Sequence, residues 1–281
     1  MEVFTAETLG KGLWRASVTG IYERREHVYR GSHRSNDPFE RVFQGARGIL
    51  GLDYGVNAEL RLSALFPFAR NELRVRDPAT GTTHQRAYGA GDLSVLASYR
   101  LLSIPWRKGT FQLALLGGLE MPTGDSSERE KGARLPRAVQ VGGGSWNPFT
   151  ALAAVLSHKR FRFDAHTRFK LNTKGRYHFD PGDEFRAELD AAYRFWHARY
   201  PGPSASARVG VRYEWVSRAR ENGSFLANTG RTLVWLRPSI GFHPIPRIDM
   251  SLLLSVPVYQ HYQGSQLSRD WQLSSAFGVR F

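Results

Sequence analysis

The stretch at 161–171, FRFDAHTRFKL, restricts the fold more than any other part of the chain. Drawn as an extended strand, it puts Phe161, Phe163, Ala165, Thr167, Phe169 and Leu171 on one face. Arg162, Asp164, His166, Arg168 and Lys170 lie on the other. A period of two belongs to a strand, not a helix. The polar face carries full charge at every position but His166. A soluble sheet can leave such a face in water. A membrane barrel turns the apolar face to lipid and the charged face to a wet lumen. Whether the rest of the chain repeats the pattern decides between them.

The pattern recurs about twelve times, an even number of strands within the range of bacterial barrels. Ala58, Leu60, Leu62, Ala64, Phe66 and Phe68 alternate with Glu59, Arg61 and Ser63. Phe185, Ala187, Leu189, Ala191, Tyr193 and Phe195 alternate with Arg186, Glu188, Asp190 and Arg194. Ala207, Val209, Val211, Tyr213 and Trp215 alternate with Arg208, Arg212 and Glu214. Trp146–Leu156 is the least regular, because both of its faces are largely apolar. Connections alternate between long and short. The long ones are read at Arg30–Glu40, Asn71–Gly89, Pro122–Gly144, Asn172–Asp183, Ser217–Gly230 and His261–Arg269. Short turns such as Gly55-Val56-Asn57 and Pro201-Gly202-Pro203 fall between. Long loops outside and tight turns inside are the asymmetry of an antiparallel barrel with both termini in the periplasm. Aromatic residues gather near strand ends, as interfacial girdles require. A soluble β-sandwich also gives alternating strands, but does not account for the alternation in loop length.

The expected fold is therefore all-β: a single transmembrane antiparallel up-and-down β-barrel over 1–281, with Met1–Gly12 read as a periplasmic N-terminal tail. No window approaches the roughly 18 apolar residues of a membrane-spanning helix. Met1–Gly12 has neither the basic start nor the apolar run of a signal peptide, so an exported protein would have lost its signal from this sequence. The net charge is +14, with arginine far more frequent than lysine and spread over nearly every strand. Nucleic-acid binding calls for a clustered basic face on a recognisable module, which is absent. The expected partners are outer-membrane lipid and lipopolysaccharide, a small-molecule solute, and the barrel-assembly machinery. The last would be engaged through the terminal aromatic Phe281, in register with Phe277 and Val279.

Several short motifs occur together: Gly91-Asp92-Leu93, Tyr99-Arg100-Leu101-Leu102, Met121-Pro122-Thr123-Gly124-Asp125, Gly144-Ser145-Trp146-Asn147 and Gly182-Asp183-Glu184. Over roughly Gly89 to Phe281 the chain resembles the phenol-degradation meta-pathway (MetA-like) outer-membrane transporter family. The resemblance implies a channel in the outer membrane of a Gram-negative bacterium, for aromatic or other small hydrophobic solutes. It implies no binding residues.

The lumen-facing set, and expected solute path, is Arg162, Asp164, His166, Arg168, Lys170, Arg186, Glu188, Asp190, Arg194, Arg208, Arg212 and Glu214. Such a lining biases a pore toward anions. Alternatively, opposite charges on neighbouring strands pair and fill a narrow barrel; the excess of arginine then leaves a positive path. Pro122-Thr123-Gly124-Asp125 reads as turn chemistry ending a strand. The nine histidines lack metal-ligand spacing. Ser157 and His158 adjoin but face opposite sides of a strand, so no hydrolytic triad is evident. The expected function is passive uptake of small aromatic or anionic solutes, without cofactor or catalysis. A non-conducting barrel with ligand-binding loops and a barrel lipid hydrolase are the other readings.

Overall fold

The computed structural model describes residues 4–79, 81–130 and 132–281. Twelve strands form the barrel wall: β1 Trp14–Arg25, β2 Val42–Gly55, β3 Leu60–Asp77, β4 Leu93–Trp106, β5 Gly109–Met121 and β6 Asn147–His158. They continue with β7 Phe161–Lys170, β8 Glu184–His197, β9 Ser204–Val216, β10 Arg231–His243, β11 Ile248–Leu267 and β12 Trp271–Arg280. Each strand pairs antiparallel with its sequence neighbours. Closure comes from β1 and β12, in register from Arg15↔Arg280 to Arg24↔Trp271. Two main-chain hydrogen bonds between Trp14 and Phe281 finish the seam, at 2.8 and 3.0 Å. The last residue of the chain is thus tied into the wall, with no free sheet edge beside it.

Alternation has the expected physical result. Phe161, Phe163 and Phe169 stand exposed on the outer surface, as do Val18, Leu50, Phe66, Val209, Leu236, Leu252 and Phe277. Water would penalise such a surface, whereas lipid does not. The inward residues between them are mostly charged, polar or small, with some large apolar side chains such as Phe149, Leu233 and Trp235 buried inside.

Some segments read as long loops are instead strand. Asn71–Gly89 is a hairpin: β3 runs on to Asp77, and Gly81–Ala90 returns along it from Asp77↔Gly81 to Phe68↔Ala90. Most of His261–Arg269 continues β11, which pairs with a short strand at Val28–Gly31, at the entry to the first loop. The cause is a change in what the alternation encodes. Above the lipid band both faces of a strand meet water, so polar composition no longer signals a loop.

The ambiguous stretch, Trp146–Leu156, is regular strand from Asn147 onward, within β6. Phe149, Ala151, Ala153 and Val155 point inward and are buried with Leu96, Ala114, Leu116 and Ala6. Both faces are apolar because the inner one packs on the chain's own N-terminal segment. The part of Met1–Gly12 that the structure describes does not hang below the barrel. Ala6 is fully buried and Thr5 and Leu9 nearly so, while the Phe4 ring lies 6.0 Å from that of Phe149 and 5.9 Å from His166.

Candidate functional site

The inward charges of β7–β10 form three stacked groups along the lumen. Nearest the periplasmic turns, the Arg162 guanidinium donates to Asp164 at 2.7 Å and to Glu7 of the N-terminal segment at 2.6 Å. Arg208 approaches Asp164 at 3.8 Å, and Arg237 approaches Asp190 at 3.9 Å. Asp164 and Asp190 are register partners on adjacent strands. Two carboxylates directly opposite one another repel, and these cations offset that repulsion.

The middle group centres on Glu188. Arg212 Nε donates to its Oε1 at 2.5 Å, Arg237 donates to its Oε2, and His166 Nε2 lies 3.6 Å away. Glu188 and Arg237 are buried. Toward the extracellular end, Glu184 receives Arg168 at 3.4 Å, Lys170 at 3.2 Å and Arg186 at 3.2 Å. Glu120 shares Lys170 at 3.4 Å, and Glu214 receives Arg231 at 2.9 Å and Arg186 at 3.7 Å. Across the barrel, Arg15 bridges Asp53 and Asp249, at 3.5 and 2.8 Å.

Eleven of the twelve residues read as lumen-facing therefore take part in ion-pair networks. Arg194 stands apart. It is exposed at the periplasmic mouth of a cavity of about 1080 Å3, with Lys159, Arg160, Arg199 and Arg280. Among the described residues, none of these five has a carboxylate within ion-pair distance. Thr5, Glu7, Thr8 and Leu9 line the cavity as well, so the N-terminal segment narrows it from within.

Sequence reasoning missed Arg237, Arg231, Glu184 and Glu120. Alternation was sufficient to find Arg237, because Leu236 and Pro238 flank it on the lipid face. Nothing in the pattern of Phe4 or Glu7 marks them as lumen residues.

The Pro122–Asp125 motif serves the turn. Asp125 accepts the Ser127 N–H at 2.7 Å and the Ser127 hydroxyl at 2.8 Å. These bonds hold its carboxyl below the ordinary carboxylate value. Gly124 N–H and Gly143 N–H both donate to Asp92, at 2.9 and 2.6 Å, clamping this loop to the start of β4.

The family model described as the MetA-pathway of phenol degradation matches residues 39–271. The chain belongs to that family. The match begins well before Gly89, so it includes β2 and β3, where no motif was evident. Among solved structures, the COG4313 outer membrane channel from Pseudomonas putida F1 is similar over 100% of both chains, with TM-score 0.76 and 16% identity. The CymD monoaromatic hydrocarbon channel is less similar: TM-score 0.42 and 12% identity over 97% of this chain and 89% of that one. The Ralstonia pickettii toluene transporter TbuX gives TM-score 0.43 and 9% identity, over 97% and 90%. No curated protein matches the chain. The fold is that of an outer-membrane β-barrel.

Proposed function

We propose that this protein is a channel of the Gram-negative outer membrane that passes small anionic solutes, aromatic acids and phenolates among them. The observation that carries this reading is the periplasmic cavity of about 1080 Å3 with its unpaired cations. Arginine in excess over acid at a constriction attracts anions and repels cations. The phenol-degradation description of the family supports the aromatic part of the proposal. Paired charges elsewhere in the lumen keep the wall rigid and polar, which suits small solutes better than a wide aqueous pore. Arg162, Asp164, His166, Arg168, Lys170, Arg186, Glu188, Asp190, Arg208, Arg212 and Glu214 would line the path, and Arg194 would stand at its exit. Catalysis has no part in the proposal.

The test is single-channel conductance of the folded protein in a planar bilayer, with a salt gradient to read selectivity. Small steps with anion preference support the proposal. Cation preference, or silence from folded protein both with and without its first nine residues, refutes it.

A further inference from the structure

Neighbouring strands place their outward residues in continuous cross-strand rows. One row reads Leu252, Ser275, Gly20, Gly48, Phe68 and Ala90 across β11, β12, β1, β2, β3 and the returning strand of the hairpin. The row above it reads Leu254, Leu273, Tyr22, Ala46, Arg70 and Tyr88. A smaller apolar depression of about 430 Å3 lies elsewhere on the lipid face, over Ala154, Ala165 and Ala191. In these two rows Ser275, Gly20, Gly48 and Ala46 leave a depression of about 750 Å3 between Tyr22 and Leu273 on one side and Phe68 and Tyr88 on the other. Its lining is almost wholly apolar, and its volume lies within the range of small-ligand sites.

The depression lies just below the level where the outer surface becomes polar. The next rows up hold Arg24, Gln44, Glu72 and Arg86, then Arg74 and His84. Most of these groups are paired: Arg24 with Glu26 at 2.6 Å, and Arg86 and His84 with Glu72 at 2.9 and 3.0 Å. Arg70 and Arg74 are exposed and, among the described residues, have no carboxylate within ion-pair distance. They stand about 13 Å apart along the strand. Tyr88, the register partner of Arg70, is 78% exposed.

We propose that this face is a docking site for lipid A, with acyl chain in the glycine-floored groove and phosphate on Arg70 and Arg74. The long loops orient this end of the barrel outward, where the leaflet is lipopolysaccharide. Lipid A combines chains and two phosphates in one molecule, matching a groove capped by two unpaired guanidiniums. Arginine is suited to phosphate because its planar fork donates two parallel hydrogen bonds. The proposal depends on the barrel's membrane placement and not on conduction.

The experiment is native mass spectrometry of the detergent-folded barrel titrated with bisphosphorylated lipid A. Gly48→Leu fills the groove, and no atom lies within 4 Å of a Cβ added there, so the variant is expected to fold. Gly117→Leu, at another lipid-facing glycine with open space, is the matched control. Gly48→Leu should abolish the lipid A adduct, and Gly117→Leu should leave it intact. Arg70→Gln/Arg74→Gln should weaken it about thirtyfold, from the attraction that each guanidinium loses near an anionic lipid. Dephosphorylated lipid A should bind the wild type no better than lipid A binds that double variant, and free inorganic phosphate should not compete. Equal lipid A binding by wild type and Gly48→Leu would overturn the groove assignment. Equal binding of lipid A and its dephosphorylated form would overturn the phosphate assignment. Competition by inorganic phosphate would make it a phosphate site and not a lipid site.

Discussion

Replacing Glu188 with alanine is the most informative single perturbation of the lumen. Its carboxylate receives two guanidiniums, Arg212 and Arg237, and stands 3.6 Å from His166. The side chains of Glu188, Arg212 and Arg237 are only 8%, 12% and 6% exposed. Removing one partner of a buried ion pair strands the other charge, at a cost of roughly 3–5 kcal/mol. Arg212 loses its ion-pair partner here while Arg237 keeps Asp190 at 3.9 Å, so Glu188→Ala should fall within that range. The cycle is completed by Arg237→Met alone and by the double variant Glu188→Ala/Arg237→Met, which removes one of the charges left behind. It should be less destabilised than the sum of its single changes, by about 1–3 kcal/mol of coupling. Urea unfolding in lipid vesicles, followed by tryptophan fluorescence and extrapolated linearly, gives both quantities. A loss below about 1 kcal/mol for Glu188→Ala would place the network in the range of exposed, solvent-screened pairs. An additive cycle would show that the pairing is not what holds this layer. Either result would refute the view that paired charges, and not water, fill the middle of the barrel. In bilayers the same variant should shift selectivity further toward anions.

Three more outcomes follow from other parts of the molecule. Phe4→Ala removes the ring packed on Phe149 and His166, so mean single-channel conductance should rise with little change in unfolding midpoint; an unchanged conductance would mean that the segment does not narrow the pore. Arg160→Glu/Arg194→Glu reverses two exposed cations at the mouth; reversal potentials should move toward cation preference. In the first loop, partial burial raises the Asp37 carboxyl but hydrogen bonds from Arg41 outweigh it, so the group is held below its ordinary value. That contribution to loop order is complete above the unfolded value of about 3.9. It is lost as pH falls through the lower folded value, so protection of the Phe39 and Arg41 amides, which donate to Asp37, relative to their intrinsic exchange rates should fall only in acid, and protection independent of pH would count against it.

The fold was legible because lipid and lumen impose opposite demands on successive residues. The alternation in Phe161–Lys170 and Glu184–His197 survives translation into strands almost residue for residue. Legibility ended where one of those demands disappeared. Above the lipid band, Asn71–Asp77 and Gly81–Gly89 have no apolar face to declare, and they read as loop although they pair as a hairpin. Inside the barrel, Phe149 and Ala151 face the N-terminal segment and not water, so β6 lost its polar side. The candidate lumen residues were legible as a set, but their pairing was not. Arg162 and Arg194 look alike in the pattern, yet one meets Asp164 and Glu7 while the other stands at an open mouth. That difference depends on which carboxylates project across the lumen, and a one-dimensional period carries no such information.

The segment that enters the barrel ahead of β1 can be treated as a ligand on a tether. Only Gly10–Leu13 separate Leu9, inside the lumen, from Trp14 in the wall. A short tether holds its end at an effective concentration in the millimolar range. Contacts too weak for a free peptide to bind at micromolar concentration can then keep the segment seated for much of the time. Occupancy of the lumen would be governed by this intramolecular mass action, so the open fraction would be independent of protein concentration. A solute that displaces Glu7 from Arg162 would shift the balance toward the open form, and the channel's cargo would then be its own activator.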